Sequence, residues 1–273
     1  RGLGDVYKRQ LYTYRQSIVV AFQQVYPEIQ GAYEKIRFEN NELPESSFIF
    51  GKEASEPLVI KENGVRYATY LNEGLMTGIF LDQKEVRGAL IDGLALGKTV
   101  LNMFSYTGAF SVAAAMGGAL ETTSVDLAKR SLKKTQEQFE VNGLDVAAQK
   151  IIVMDVFEYF KYAKRKKMTY DLIVLDPPSF ARNKKKVFRA AKNYGELVKD
   201  SLDILTNKGQ LIASTNAANV STEQFREMIE AEFISANVKF EQIGHYHLPQ
   251  DFQTIDAFPE GDYLKVFIYQ IRK

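Results

Sequence analysis

The sequence predicts an α/β fold: a mostly parallel sheet with an antiparallel C-terminal strand, preceded by a small α+β domain. Three observations carry that expectation. From Val100 onward, short β-rich runs ("TVLNMF", "ETTSVD", "IIVMD", "DLIVLD", "QLIAST") alternate with helical patterns such as 128–142 and 189–205, and such repetition implies right-handed crossovers with helices on both sheet faces. The last two β-rich stretches, "VKFEQIGHYHL" and "DYLKVFIYQI", alternate with period two around a loop containing Pro and Gly, as an antiparallel pair closing a sheet edge does. The first hundred residues follow neither pattern. They hold a helical stretch at 11–25, the strand-like "AYEKIRF" and two alternating runs hinged on Asn63-Gly64, a strong hairpin signal.

These patterns divide the chain into a small α+β domain over 11–75, a linker loop and helix over 76–97, and a Rossmann-like domain over 98–273. The opening "RGLGDVYKRQ", residues 1–10, has mixed charge and no amphipathic period, looks like translated adapter sequence, and is read as a non-native leader. With 273 residues, 45% of them hydrophobic, the chain can bury a sizeable core. The absence of cysteine removes disulfides, thiolate metal sites and any cysteine nucleophile. Two histidines, His245 and His247, leave little to hold a metal, and none is expected; alternating among apolar neighbours on an antiparallel strand, they read as structural. The net charge of +1 argues against a uniformly basic coat, yet basic residues cluster at 129–134, 161–167 and 182–192. No apolar run approaches the roughly 20 residues that span a bilayer and nothing reads as a signal peptide, so a cytoplasmic protein without a membrane partner is expected.

In an open parallel sheet the ligand lies beyond the carboxyl ends of the strands, where strand order reverses. The first strand ends in "LNMFSYTGAFS", with Asn102 as its last inward polar group and Gly108 allowing a tight turn into a helix; the next three end in Asp126, Asp155 and Asp176. One glycine is not the Gly-x-Gly-x-x-Gly that a dinucleotide's pyrophosphate requires. A ligand with a ribose, an adenine and an amino-acid head fits better, Asp126 accepting from the ribose hydroxyls and Asp155 from an exocyclic amine: S-adenosylmethionine. Any one of these aspartates equally suits a helix N-cap.

"VLNMFSYTGAFSVAAAMGGA", "SVDLAKRSL", "LDPPSF" and, upstream, "TGIFLDQKEVR" resemble class I S-adenosylmethionine-dependent methyltransferases of bacterial 23S rRNA, from about Gly51 to the C-terminus. Members usually carry an N-terminal PUA domain, which is missing here, so the resemblance implies a chain that begins partway through its protein. It also implies cofactor contacts from Phe80, Asp82, Gln83 and Arg87, from Asn102, Phe104, Ser105 and Gly108, and from Asp126, Asp155 and Asp176. By itself, "LDQKEVR" reads as a helix start with Asp82 as cap and Arg87 on the solvated face.

Methyl transfer is an in-line displacement, so the protein mainly has to hold donor and acceptor together. Pro177 and Pro178 stiffen the turn that aims Asp176, and Phe180 is placed to stack on an extruded base; its alternative is a core aromatic under the loop. Pyrimidine C5 needs a covalent nucleophile, and where some relatives place that cysteine this chain has Asn216. Cytosine C5 is therefore rejected and guanine N7 preferred, since relatives acting there carry an Asn-rich stretch resembling "STNAAN". Exocyclic amines remain open, as does Asn216 as a loop or capping residue before Ser221. Asp176, Pro177, Phe180 and Asn216 are thus the candidate catalytic group. Arg182, Lys184, Lys185, Lys186, Arg189 and Lys192, interleaved with Phe180, Phe188 and Tyr194, form a candidate RNA lip. The cations at 161–167 end a helix and are weaker candidates. The expected partner is large-subunit rRNA, with a homodimer left open. The rival readings are a methyltransferase acting at another base nitrogen, one acting on a small molecule, and a non-catalytic RNA-binding protein.

Overall fold

The computed structural model describes residues 3–40, 42–182 and 187–273, and the chain folds as two units: Arg1–Ile60 with Ala68–Ile79, and Lys61–Tyr67 with Phe80–Lys273. In the smaller unit α1 (Leu3–Thr13) and α2 (Arg15–Val25) precede β1 (Gly31–Lys35) and β2 (Ser46–Gly51), which pair antiparallel. Lys35 Nζ donates to Ser46 Oγ at 2.8 Å and to the Gly74 carbonyl at 2.7 Å, tying the 71–74 loop to this ribbon. The predicted hairpin is β3 (Leu58–Glu62) and β4 (Val65–Thr69). Its two-residue loop has φ 49° at Asn63 and 81° at Gly64, the paired left-handed conformations that a type I′ turn demands. The tip of that hairpin, 61–67, belongs to the larger unit, so the small domain is not one continuous segment.

The larger unit continues through α3 (Lys84–Ala89), β5 (Thr99–Met103), α4 (Ala109–Met116), β6 (Glu121–Asp126), α5 (Lys129–Glu140), β7 (Lys150–Val153), α6 (Val156–Arg165) and β8 (Tyr170–Leu175). A short antiparallel ribbon follows, β9 (Phe180–Arg182) with β10 (Val187–Arg189), then α7 (Ala190–Ile204), β11 (Leu205–Thr215), α8 (Thr222–Ser235), β12 (Lys239–Tyr246) and β13 (Lys265–Arg272). The main sheet runs β7-β6-β5-β8-β11-β13-β12. Pairs from β7 to β11 are parallel, whereas β13 lies antiparallel to both β11 and β12. The antiparallel pair expected at the edge is present, with the last strand inserted between β11 and β12.

Side chains on one sheet face pack with α6, α7 and α8 around Tyr159, Tyr194, Phe225, Phe267 and Tyr269. Those on the other face pack with α3 and α4 around Val86, Leu90, Phe110 and Ile212. Burial on both faces explains why β8 reads as a continuous apolar run. The crossovers diverge from β5 and β8, so the crevice for a ligand opens beyond Met103 and Leu175. Among the described residues no helix is long and apolar enough to cross a membrane.

Candidate active site

Beyond β5 the chain enters the left-handed region three times in five residues, with φ 58° at Phe104, 50° at Tyr106 and 78° at Gly108. For bulky L-residues this costs on the order of 1–3 kcal/mol each and persists only where the surroundings over-determine it. Here the Ser105 N–H donates to Val125 O at 3.0 Å, the Gly108 N–H to Ser105 O at 2.7 Å, and the Tyr106 N–H to Asp126 Oδ2 at 2.9 Å. Asp126 Oδ1 accepts from the Ala128 N–H at 2.8 Å, and each oxygen retains a second lone-pair direction for a hydroxyl donor. Gly108 is required twice over. Besides its φ, a Cβ there would lie 2.5 Å from Thr135 Cγ2.

Asp176 stands at the end of β8. Gln83 Nε2 donates to its Oδ1 at 3.1 Å and to Ser214 Oγ at 2.7 Å. By surface area the residue is half-buried, and the desolvation of its carboxyl governs its titration. Its pKa is raised from 3.8 to about 6: desolvation is the largest cause and the Asp82 charge adds to it, outweighing the hydrogen bonds from Ser214 and Gln83 and the Arg87 charge, which pull it down. Asp82 Oδ2 accepts from the Tyr263 hydroxyl at 2.9 Å.

A helix does start within 81–87, a short 3-10 turn at Leu81–Gln83 leading into α3, but the cap and the solvated face read for it are corrected. Asp82 caps nothing, and Arg87 is buried at 1% exposure. Its Nε and Nη2 donate to Glu62 Oε1 and Oε2 at 2.7 and 2.8 Å, and Nη2 donates to Phe80 O at 2.9 Å. The guanidinium also lies 5.6 and 5.8 Å from the Tyr67 and Phe110 rings. A helix periodicity sees only its own segment, whereas the hairpin tip carrying Glu62 and Tyr67 comes from earlier in the chain. Arg87 thereby positions the Phe80 backbone; the Phe80 ring, 44% exposed, lies 5.5 Å from that of Tyr106.

In the turn after Asp176, Pro177 is buried and Pro178 exposed. Ser179 Oγ donates to Asn216 Oδ1 at 2.6 Å, which brings the two halves of the candidate catalytic group together. Asn216 is not the cap of α8, because Ser221 and Gln224 form a capping box there. Phe180 is 56% exposed with the Arg189 guanidinium 6.0 Å from its centroid, so the core-aromatic alternative falls. Phe188 and Tyr194 move the other way: at 3% and 0% exposure they face the core, not RNA. Phe188 packs on Phe104 and Phe157, and the Tyr194 hydroxyl lies 3.1 Å from Leu175 O and 2.9 Å from Ser214 O, bridging the ends of β8 and β11.

Lys192 is exposed on α7, and Arg182 is placed by its backbone at the end of β9. Lys184, Lys185 and Lys186 lie outside the described residues. Asp155 Oδ1 caps α6, accepting from the Phe157 and Glu158 N–H groups at 3.0 and 3.3 Å. Asn102 sits beneath α4, donating from Nδ2 to Ser111 Oγ at 3.0 Å. Lys161 and Lys164, on α6 beyond the opposite rim of the sheet, pair with Glu158 and Asp203. Ser214 and Tyr263 join the site without having been singled out for it, and Tyr194, expected at the RNA lip, supports it from the core; "STNAAN" had directed attention to Asn216 alone.

A switch-point crevice in a mostly parallel sheet, with a pinned Gly turn on one strand and an Asp-Pro-Pro turn on its neighbour, defines a Rossmann-like ligand-binding domain. The family model described as S-adenosylmethionine-dependent methyltransferase matches residues 30–263, and the chain belongs to that family. It is 51% identical over 266 residues to YwbD of Bacillus subtilis (strain 168), provisionally named a ribosomal RNA large subunit methyltransferase, covering 97% of this chain and 67% of that protein. A ribosomal RNA large subunit methyltransferase of Deinococcus radiodurans is 34% identical over 230 residues, covering 84% of this chain and 55% of the relative. The crystal structure of SMU.776, provisionally named a methyltransferase and complexed with SAH, superposes with TM-score 0.89 at 53% identity, covering 95% of this chain and 66% of that one. The chain thus spans between about half and two thirds of the length of these proteins.

The residues present fit the family's cofactor. Asp82 Oδ1, Gln83 Oε1 and Asn102 Oδ1 are enclosed acceptors with no donor among the described residues. Each costs about 1–3 kcal/mol when left unmet, and a ligand rich in N–H and O–H groups supplies what they lack.

Proposed function

We propose that this chain methylates a base of large-subunit ribosomal RNA, at guanine N7, using S-adenosylmethionine. The observation that carries the reading is the exposed Phe180 ring under Arg189, one short turn from the desolvated carboxylate of Asp176 and next to the Ser179–Asn216 hydrogen bond. An exposed aromatic beside a cation is a stacking platform for an unpaired base, and Asn216 offers an amide to its edge. The names of the relatives support rRNA as the substrate class.

S-adenosylmethionine, when bound, supplies an electrophilic sulfonium methyl. Asp126 holds the turn against which the ribose would lie, Asp82 and Gln83 present acceptors, and the Pro-Pro turn keeps Asp176 and Phe180 in fixed relation to them. Guanine N7 reacts through its own lone pair, so no residue has to remove a proton or bond to the base. The absence of cysteine from the sequence is compatible with that route and not with covalent activation of pyrimidine C5 by a thiolate. A second reading rests on Asp176: a desolvated carboxylate with lone pairs to spare can accept from an exocyclic amine and orient its nitrogen.

The test is incubation of large-subunit rRNA with the chain and isotopically labelled S-adenosylmethionine, followed by nucleoside mass spectrometry. Label in 7-methylguanosine is expected. Label on an exocyclic nitrogen would replace the N7 assignment, and label in 5-methylcytidine would overturn both readings.

A further inference from the structure

Three cation-forming side chains, Arg226, His245 and His247, meet on the α8 face of the sheet at its carboxyl rim, where Lys265 begins the neighbouring strand. The His245 ring stacks on Phe267 with centroids 4.6 Å apart and planes 17° off parallel, and the Arg226 guanidinium carbon lies 5.2 Å from the same centroid. The His247 ring is 4.1 Å from that of His245. Lys265 shares the face of Phe267 by strand alternation, and the register that puts Tyr246 opposite Val266 carries His247 toward it. Lys265 Nζ donates to Ala217 O at 3.2 Å and Tyr263 O at 3.1 Å, two of its three N–H groups.

This arrangement is unfavourable as it stands. Arg226 Nε and His245 Nε2 are enclosed with no hydrogen-bond partner among the described residues. His245 is held below its usual pKa by burial and then by the charges of His247 and Arg226. The carboxylates nearby do not relieve it: Glu230 on α8 accepts from the Tyr269 hydroxyl at 2.9 Å, and Asp262 acts on Lys265. Buried polar groups without partners and like charges gathered around one ring are rule violations that folds keep at binding sites. A dianionic or monoanionic oxygen cluster would meet both deficits at once. Lys265 grips the carbonyl of Ala217, next in sequence to Asn216, so the cluster adjoins the loop that reaches the Asp176 turn.

We propose that Arg226, His245, His247 and Lys265 form a binding site for one backbone phosphate of the substrate RNA, flanking the nucleotide presented at Asp176. The proposal rests on the RNA reading above. It gives the two histidines, expected to be structural, a binding role.

Two histidines in the whole chain make imidazole NMR an unambiguous readout. A single-stranded RNA oligomer should shift both imidazole signals and raise both titration midpoints, because a phosphate stabilises the protonated rings. Its affinity should therefore rise as pH falls from 8 to 6. Arg226→Gln should abolish the NMR shifts and lower the slope of log affinity against log salt by about 0.7, the value for one phosphate on a single strand. His247 is exposed, so His247→Gln keeps the test valid if Arg226→Gln misfolds; it should weaken the pH dependence, leaving only the part carried by His245. Unmoved imidazoles at saturating RNA would overturn the site while leaving the methyltransferase reading intact. Shifts with inorganic phosphate but not with RNA would overturn the RNA source. Absence of any RNA binding, with no label in rRNA, would strike the function itself.

Discussion

Removing the charge of Asp176 should stabilise the protein while stopping its chemistry. In the folded chain this carboxyl titrates near 6 instead of 3.8, chiefly through desolvation. At about 1.4 kcal/mol per pH unit, the ionised form therefore opposes folding by on the order of 3 kcal/mol above pH 6. The sign follows from proton binding: between pH 3.8 and 6 the folded state holds a proton that the unfolded state has released, so stability falls as pH rises through that window and stays low above it. Asp176→Asn keeps the shape and an acceptor for Gln83. It should raise stability by about 1–3 kcal/mol at pH 7.5, after loss of part of the hydrogen bonding from Ser214, and flatten the profile between pH 4 and 6. Urea denaturation at several pH values measures both quantities, and methyl incorporation measures activity, which should be lost. A variant no more stable than the parent at pH 7.5, with the same pH slope, would refute the reasoning.

The other predictions concern neighbouring parts of the site. Arg87→Met should destabilise by about 3–5 kcal/mol, because it leaves Glu62, 9% exposed, buried and unpaired; denaturation of the Arg87→Met/Glu62→Gln double variant should recover much of the loss. Phe180→Ala should weaken RNA binding by about 1–3 kcal/mol in a filter or polarisation assay, while thermal melting of this exposed position stays within about 0.5 kcal/mol of the parent. Gly108→Ala should cost about 1–3 kcal/mol and weaken cofactor binding measured by calorimetry. Thr135→Ser in that background removes the Cγ2 overlap but not the φ strain, so only partial recovery is expected.

Periodicity made the strand and helix succession readable along 98–273, because crossovers between parallel strands leave each element with its own local pattern. The Asn63-Gly64 turn was equally legible, since only residues tolerant of positive φ close a two-residue hairpin. Strand-terminal aspartates could be found but not sorted. Asp126 pins a strained turn, Asp155 caps a helix and Asp176 sits desolvated between Gln83 and Ser214, three fates for one residue type at one kind of position. Aromatic residues near the lysine run behaved likewise: Phe180 faces outward while Phe188 and Tyr194, eight and fourteen positions later, are core.

The sequence by itself determined the layered parallel architecture, the absence of a cysteine nucleophile and the family motifs at the strand ends. Only the tertiary structure decided that Arg87 is buried, that β13 slots between β11 and β12, and that Arg226, His245 and Lys265 share one face. The physical reason is range. Backbone propensity and alternation act over a few residues and are written where they act. Desolvation, charge pairing and strand insertion depend on groups far apart in the chain, and no local pattern records which of them will meet.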